Sequence, residues 1–235
     1  VTTADSEQRI LLRDGDMEVI GRMANSSNAT LLVSITHGDL STQGIYKPMK
    51  GERPLWDFEP GLYKREVCAY ALSEALGWNL VPMTLAREGQ YGVGSVQQWV
   101  EFDTDEHYFS LYENRPDLHA RLKQMAVFDF IANNTDRKGG HVLIDFDDNV
   151  WGIDHGVCFS EEFKLRTVIW EFGGDPVDDE LLEPVAALAE RIPADVADWL
   201  TQNEVDAMYE RIEWLLQERT FPVPESRYQY PWPLL

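Results

Sequence analysis

The stretch from Asn133 to Gly156, NNTDRKGGHVLIDFDDNVWGIDHG, limits what this chain can fold into more than any other. It opens on a polar loop that sets an acid beside two bases, Asp136-Arg137-Lys138. Two short apolar runs follow, Val142-Leu143-Ile144 and Val150-Trp151-Gly152-Ile153. Between them Asp147-Asp148-Asn149 supplies turn chemistry for a tight hairpin. A second acid, Asp154, leaves the end of the second run in Ile153-Asp154-His155-Gly156. A hairpin of this length brings its ends together, so Asp136 and Asp154 are expected to face one space. Two carboxylates there, with Arg and Lys beside them, suit the handling of a metal-bound polyphosphate and point to phosphoryl transfer.

The rest of the chain divides around that stretch. Residues 17–23 and 30–36 read as β-runs joined by the 24–29 turn, and a third run covers Gln43 to Lys47, which makes an antiparallel meander. A helix is expected from about Leu62 to Gly77, rich in Ala and Leu with a glycine where it should stop. Two more strands are expected over Pro82 to Arg87 and Gly94 to Phe102. Beyond the acidic loop Asp103 to Glu106, Leu118, Leu122, Met125, Ala126 and Phe128 to Ile131 pattern a buried helix. Further helices are read over Glu180 to Arg191, Ala194 to Gln202 and Glu204 to Arg219, and the Pro- and aromatic-rich tail FPVPESRYQYPWPLL is expected to lie on the surface. The expected class is α+β: a small β-rich lobe with one helix over residues 1–102, and a larger helical lobe over 103–235 that carries the hairpin.

Charge narrows the partners. Lys and Arg number 20 against 41 Asp and Glu, a formal net charge of −21. Such a surface repels nucleic acid and anionic lipid, and the basic cluster that membrane attachment would use is missing. No run is long and apolar enough for integral membrane contact. The opening VTTADSEQ has no secretory pattern, and Cys68 and Cys158 form neither a disulfide framework nor a metal spacing, so a reducing cytoplasm is expected.

Several blocks, taken in order, resemble the phosphatidylinositol 3-/4-kinase superfamily, with its type II 4-kinase branch the nearest, and also a group of uncharacterised bacterial relatives of these kinases. Glu66-Val67-Cys68-Ala69-Tyr70 and Leu80-Val81-Pro82 resemble the family's helix and following strand, and Gly94 to Glu101 its interlobe strand. Asn134-Thr135-Asp136-Arg137 resembles the catalytic loop, Ile153 to Gly156 the metal-binding motif, and Arg166 to Trp170 the end of the activation segment. The blocks span roughly residues 40 to 172. The resemblance implies a bilobal protein-kinase-like fold that binds ATP with Mg²⁺ or Mn²⁺ and phosphorylates a hydroxyl-bearing substrate.

The resemblance also distributes roles. Asp136 would accept the proton of the attacking hydroxyl and Lys138 would contact the transferring phosphate. Arg137 would serve either as a substrate contact or as a structural ion-pair partner. Lys47 would hold the α/β-phosphates with Glu66 as its ion-pair partner, and Lys50 is a nearby rival. Gln98, Trp99 and Val100 would meet the adenine, with Trp99 alternatively an interior tryptophan. No G-x-G-x-x-G loop is present, so the Asn25 to Ala29 turn, with Ser27 and Asn28, would cover the phosphates or be an ordinary hairpin turn. Asp154 would hold the metal. His141 departs from the pattern, because these families carry an asparagine there; it would ligate a softer ion, or hydrogen-bond Asp136, or mark a pseudokinase that works through a protein partner. His155 and Cys158 are expected to be structural. Lys164 and Arg166 fall where lipid kinases bind an anionic headgroup. Without the membrane-attachment features of the type II branch, the expected acceptor is soluble, an inositol-type metabolite or a protein.

Overall fold

The computed structural model describes residues 3–23 and 28–235. Helix α1 (Thr3–Asp14) leads into β1 (Asp16–Arg22), β2 (Leu31–His37) and β3 (Leu40–Pro48). Helix α2 (Tyr63–Ala75) follows, then the hairpin β4 (Thr84–Gly89) and β5 (Gly92–Gln98). The five strands make one antiparallel sheet in the order β1-β2-β3-β5-β4. Alternation drives it: in β2, Leu31, Val33 and Ile35 turn inward and are buried, while the residues between them are half-exposed. Gly94 allows β5 to lie close against β3, since a Cβ there would sit 2.3 Å from the Lys47 carbonyl oxygen.

Helix α2 ends where glycine permits. Gly77 takes φ 67°, its N–H donates to the Glu74 carbonyl at 3.0 Å, and the Trp78 N–H donates to the Ser73 carbonyl at 3.1 Å. This pair of bonds satisfies the last helical carbonyls. The helix packs on β4 and β5, and its Cys68, Ala69 and Leu72 are fully buried.

The second half contains α3 (Tyr108–Asn114), α4 (His119–Ile131), the hairpin β6 (Val142–Ile144) and β7 (Val150–Gly152), α5 (Asp179–Glu190), the single turn α6 (Ala194–Ala197) and α7 (Gln202–Glu218). The hairpin turns as its sequence requires, with the Asp145 carboxylate accepting the N–H groups of Asp147 and Asn149 at 3.0 and 2.8 Å. The second half of α4, Met125 to Ile131, is buried on every side, and α7 and β7 pack against the helix.

Four expectations change. The sheet region carries α1 as well as α2; α1 has an apolar patch only at its end, Leu11 and Leu12, too short to register as a periodic stripe. Helix α3 went unread because His107 and Ser110 cap it, in place of the usual Ser/Thr with Glu/Gln. The helix expected from Ala194 stops at Ala197, and β5 ends at Gln98; Phe102 then makes only an isolated bridge to Asp145.

Candidate active site

The buried pair of Arg137 and Asp129 organises the site. Both side chains are fully buried and pair at 2.9 Å. The same guanidinium donates to the carbonyls of His141 at 3.2 Å and Ile153 at 2.9 Å, and to Nε2 of His155 at 2.7 Å. One side chain thereby ties α4, the loop after it and the exit of β7 together. Asp136 precedes this arginine in the chain, and Asp154 lies between two residues that it holds. Asn134 extends the network: its amide donates to Asp129 at 3.0 Å and its carbonyl oxygen accepts the Asp136 N–H at 3.0 Å. The substrate-contact role for Arg137 is therefore corrected. Its charge is spent inside the protein, where removing one partner of a buried pair costs about 3–5 kcal/mol.

Lys47 meets two acids. Its ammonium bonds the Glu66 carboxylate and Oδ1 of Asp154, the latter at 2.9 Å. The other oxygen of Glu66 accepts the His155 N–H at 3.0 Å, so α2 is fastened to the loop that presents Asp154. Lys50, the rival, is exposed in a short turn after β3. Asp154 takes φ 61°, a left-handed conformation that Asp tolerates. Its side chain remains 53% exposed, open to the cleft. The Lys47 ammonium holds its carboxyl well below the usual carboxylate range.

Asp136 differs. Burial pushes its carboxyl up, and Lys138, whose ammonium lies 3.3 Å away, pulls in the opposite direction. His141 sits between the acids, with Nε2 3.5 Å from Oδ2 of Asp154 and Nδ1 3.1 Å from the Asp136 carbonyl oxygen. Burial lowers the imidazole pKa to about 4, so the ring is neutral at pH 7. If Nδ1 carries the proton, it donates to the Asp136 carbonyl and the Nε2 lone pair is directed toward Asp154.

Lys47, Glu66, Asp136, Lys138, His141 and Asp154 line one cleft of about 690 Å³. Gln98, Trp99, Val100 and Asn28 line it too. The Gln98 and Trp99 N–H groups are already used, by the carbonyls of Met83 and Gln43, whereas the Val100 N–H has no backbone partner among the described residues. Trp99 is half-exposed in the cleft wall, not interior. The Asn28 side-chain oxygen accepts the Arg53 N–H at 2.8 Å, so it braces the 51–60 loop. Ser27, with the turn residues Asn25 and Ser26, lies outside the described residues. Lys164 is committed to Asp57 at 3.2 Å, while Arg166 lines the cleft. His155 and Cys158 are fully buried, as expected of structural residues.

Two contributors were missed in the sequence. Asp129 had a signal, a lone acid inside the apolar run Val127-Phe128-Asp129-Phe130-Ile131. The 51–60 loop, which places the exposed Trp56 at the cleft, had none beyond its prolines.

No protein-family model matches the chain. Protein Rv2133c of Mycobacterium tuberculosis (strain ATCC 25618 / H37Rv) is 40% identical over 268 aligned positions, covering 98% of this chain and 96% of the relative. The chain belongs to the family of Protein Rv2133c. Among solved structures, the proinflammatory kinase CtkA of Helicobacter pylori superposes with a TM-score of 0.53 at 11% identity, covering 89% of this chain and 94% of that one. Hydra Fam20, solved with sugar, superposes at 0.52 and 13% identity, covering 93% and 89%. At such identities the likeness establishes the fold alone: this is a kinase-like α+β fold, with an antiparallel sheet in its first half and helices in its second.

Proposed function

We propose that the chain is an ATP-dependent phosphotransferase that moves the γ-phosphate of ATP to a hydroxyl of a soluble acceptor, an inositol-type metabolite or a protein. One observation carries the reading: Lys47, Asp136, Lys138 and Asp154 reach a common cleft from separate stretches of the chain. In this reading the lobes 1–102 and 103–235 close over the nucleotide, and the protein works in the cytoplasm.

Lys47, held by Glu66, binds oxygens of the α- and β-phosphates, and the Val100 N–H receives the adenine edge. Asp136 takes the proton of the acceptor hydroxyl as that oxygen bonds the γ-phosphorus and the bond to the bridging oxygen breaks, which releases ADP. Lys138 balances the charge on the group in transit. The donor set near Asp154 suits a divalent cation: an ionised carboxylate and a neutral imidazole, with no group of three or more ligating side chains among the described residues. Asp154 and His141 would hold that ion, whose charge would offset that of the phosphates. The nitrogen donor favours Mn²⁺ over Mg²⁺.

Turnover of labelled ATP by the parent and by Asp136→Asn tests the assignment. Turnover is expected to fall about 10²–10⁴-fold in the variant while ATP binding persists. A variant that consumes ATP as fast as the parent removes Asp136 from the mechanism. A parent that binds ATP without turning it over is a nucleotide-holding module instead.

A further inference from the structure

A second hollow, of about 460 Å³, opens beside the cleft and shares Thr135, Asp136 and Arg166 with it. Residues 227–232 build the rest of its wall, through Arg227, Tyr228, Tyr230, Pro231 and Trp232. This segment is fastened on both sides of the hollow. The Gln229 carbonyl accepts the Thr167 N–H at 3.1 Å and the Trp170 indole N–H at 3.3 Å, and the Leu234 carbonyl accepts the Gly139 N–H at 2.7 Å. Leu235 lies so near the loop that a Cβ on Gly139 would come within 2.7 Å of it. The loop just after Asp136 and the stretch just after Arg166 thus hold the wall in place.

Its chemistry is unusual for this protein. Acids outnumber bases two to one, 41 to 20, yet Arg166 and Arg227 make no ion pair among the described residues. Both are exposed and both line the hollow. The Arg227 guanidinium stacks 5.4 Å from the centre of the Tyr228 ring. Trp232 and Tyr228 are 87% and 72% exposed, large aromatic faces beside a carboxylate. Guanidinium groups bind phosphate in a bidentate fork, and aromatic faces take the apolar face of a ring.

We propose that this hollow is the acceptor site, and that it takes a sugar- or cyclitol-like alcohol that already bears a phosphate. The inference rests on the phosphotransferase reading. Arg166 and Arg227 grip the phosphate already present, Trp232 and Tyr228 cover the ring, and a free hydroxyl faces Asp136. That hydroxyl's proton passes to Asp136, its oxygen bonds the γ-phosphorus of ATP, and ADP leaves. A neutral sugar would leave both guanidiniums unpaired. The same phosphorylated ring could arrive on a lipid, but a chain with net charge −21 is repelled by an anionic surface, so the acceptor is free in solution.

Calorimetric titration of the full chain tests this, with a panel of hexose and cyclitol monophosphates, the parent sugars and cyclitols, and phosphatidylcholine vesicles containing phosphatidylinositol. At least one monophosphate is expected to bind about tenfold or more tightly than its unphosphorylated parent. Arg166→Ala, Arg227→Ala and Trp232→Ala should each weaken that binding about tenfold. Because these side chains are exposed, the variants should keep the parent melting temperature. Binding by no member of the panel, or binding unchanged in Arg227→Ala, overturns the proposal; capture by the vesicles but not by the free monophosphates overturns its soluble acceptor. The ATP-induced rise in melting temperature is read separately. Its absence in the parent strikes the phosphotransferase reading, whereas its presence without monophosphate binding strikes only the acceptor site.

Discussion

Asp136 and Asp154 lie in one cleft yet differ in acidity, and Lys47 is the reason. Its ammonium lies 2.9 Å from Asp154 and keeps that group ionised, as a ligand for a cation must be. For Asp136, burial outweighs the pull of Lys138 and the weaker pull of Arg166, so its carboxyl is raised from the ordinary aspartate value of 3.8. A proton acceptor works only in its ionised form, so kcat/KM should fall as pH drops through this raised value. Lys138→Met removes the opposing charge and should move the acid limb to higher pH, which a pH–rate profile of the variant would show. An unmoved limb would mean that another group titrates. Arg137 has a different task. Arg137→Ala leaves Asp129 buried without its partner and should lower unfolding stability by about 3–5 kcal/mol, measured by urea denaturation. A loss below about 1 kcal/mol would contradict the structural role given to this side chain.

At the scale of elements, the junction of β3 with β5 sets where Lys47 points. Gly94→Ala places a methyl against the Lys47 carbonyl and the Pro48 backbone, so the strands must separate. A cost of about 1–3 kcal/mol and weaker ATP binding are expected together, by thermal melting with and without nucleotide. The hairpin of β6 and β7 was legible because its turn, its apolar runs and its flanking acids all lie within one short stretch. The stop of α2 at Gly77 was legible for the same local reason. Helix α1 was not, since its place depends on Leu12 meeting a sheet formed later in the chain. The partner of Arg137 was equally hidden: charge complementarity could not pick Asp129 from 41 acids without the fold.

On the scale of the whole molecule, one apolar core runs from the sheet into the helices of the second half, and at the cleft an ionic network joins the two parts. Lys47 on β3 and Glu66 on α2 reach Asp154 and the His155 N–H beyond β7. The order of the sequence blocks conveyed this architecture, whereas the wall made by residues 227–232 reads only as a surface segment until the chain is folded. No helix of the described residues is long and apolar enough to cross a membrane. Thermal unfolding with ATP plus Mn²⁺, compared with ATP alone and run in parallel on Asp154→Ala, addresses the cleft most directly. At ligand near one hundred times Kd the parent should gain about 2.7 kcal/mol, and the variant should lose the metal-dependent part of that gain. A parent whose melting temperature does not move with nucleotide and metal would contradict the account.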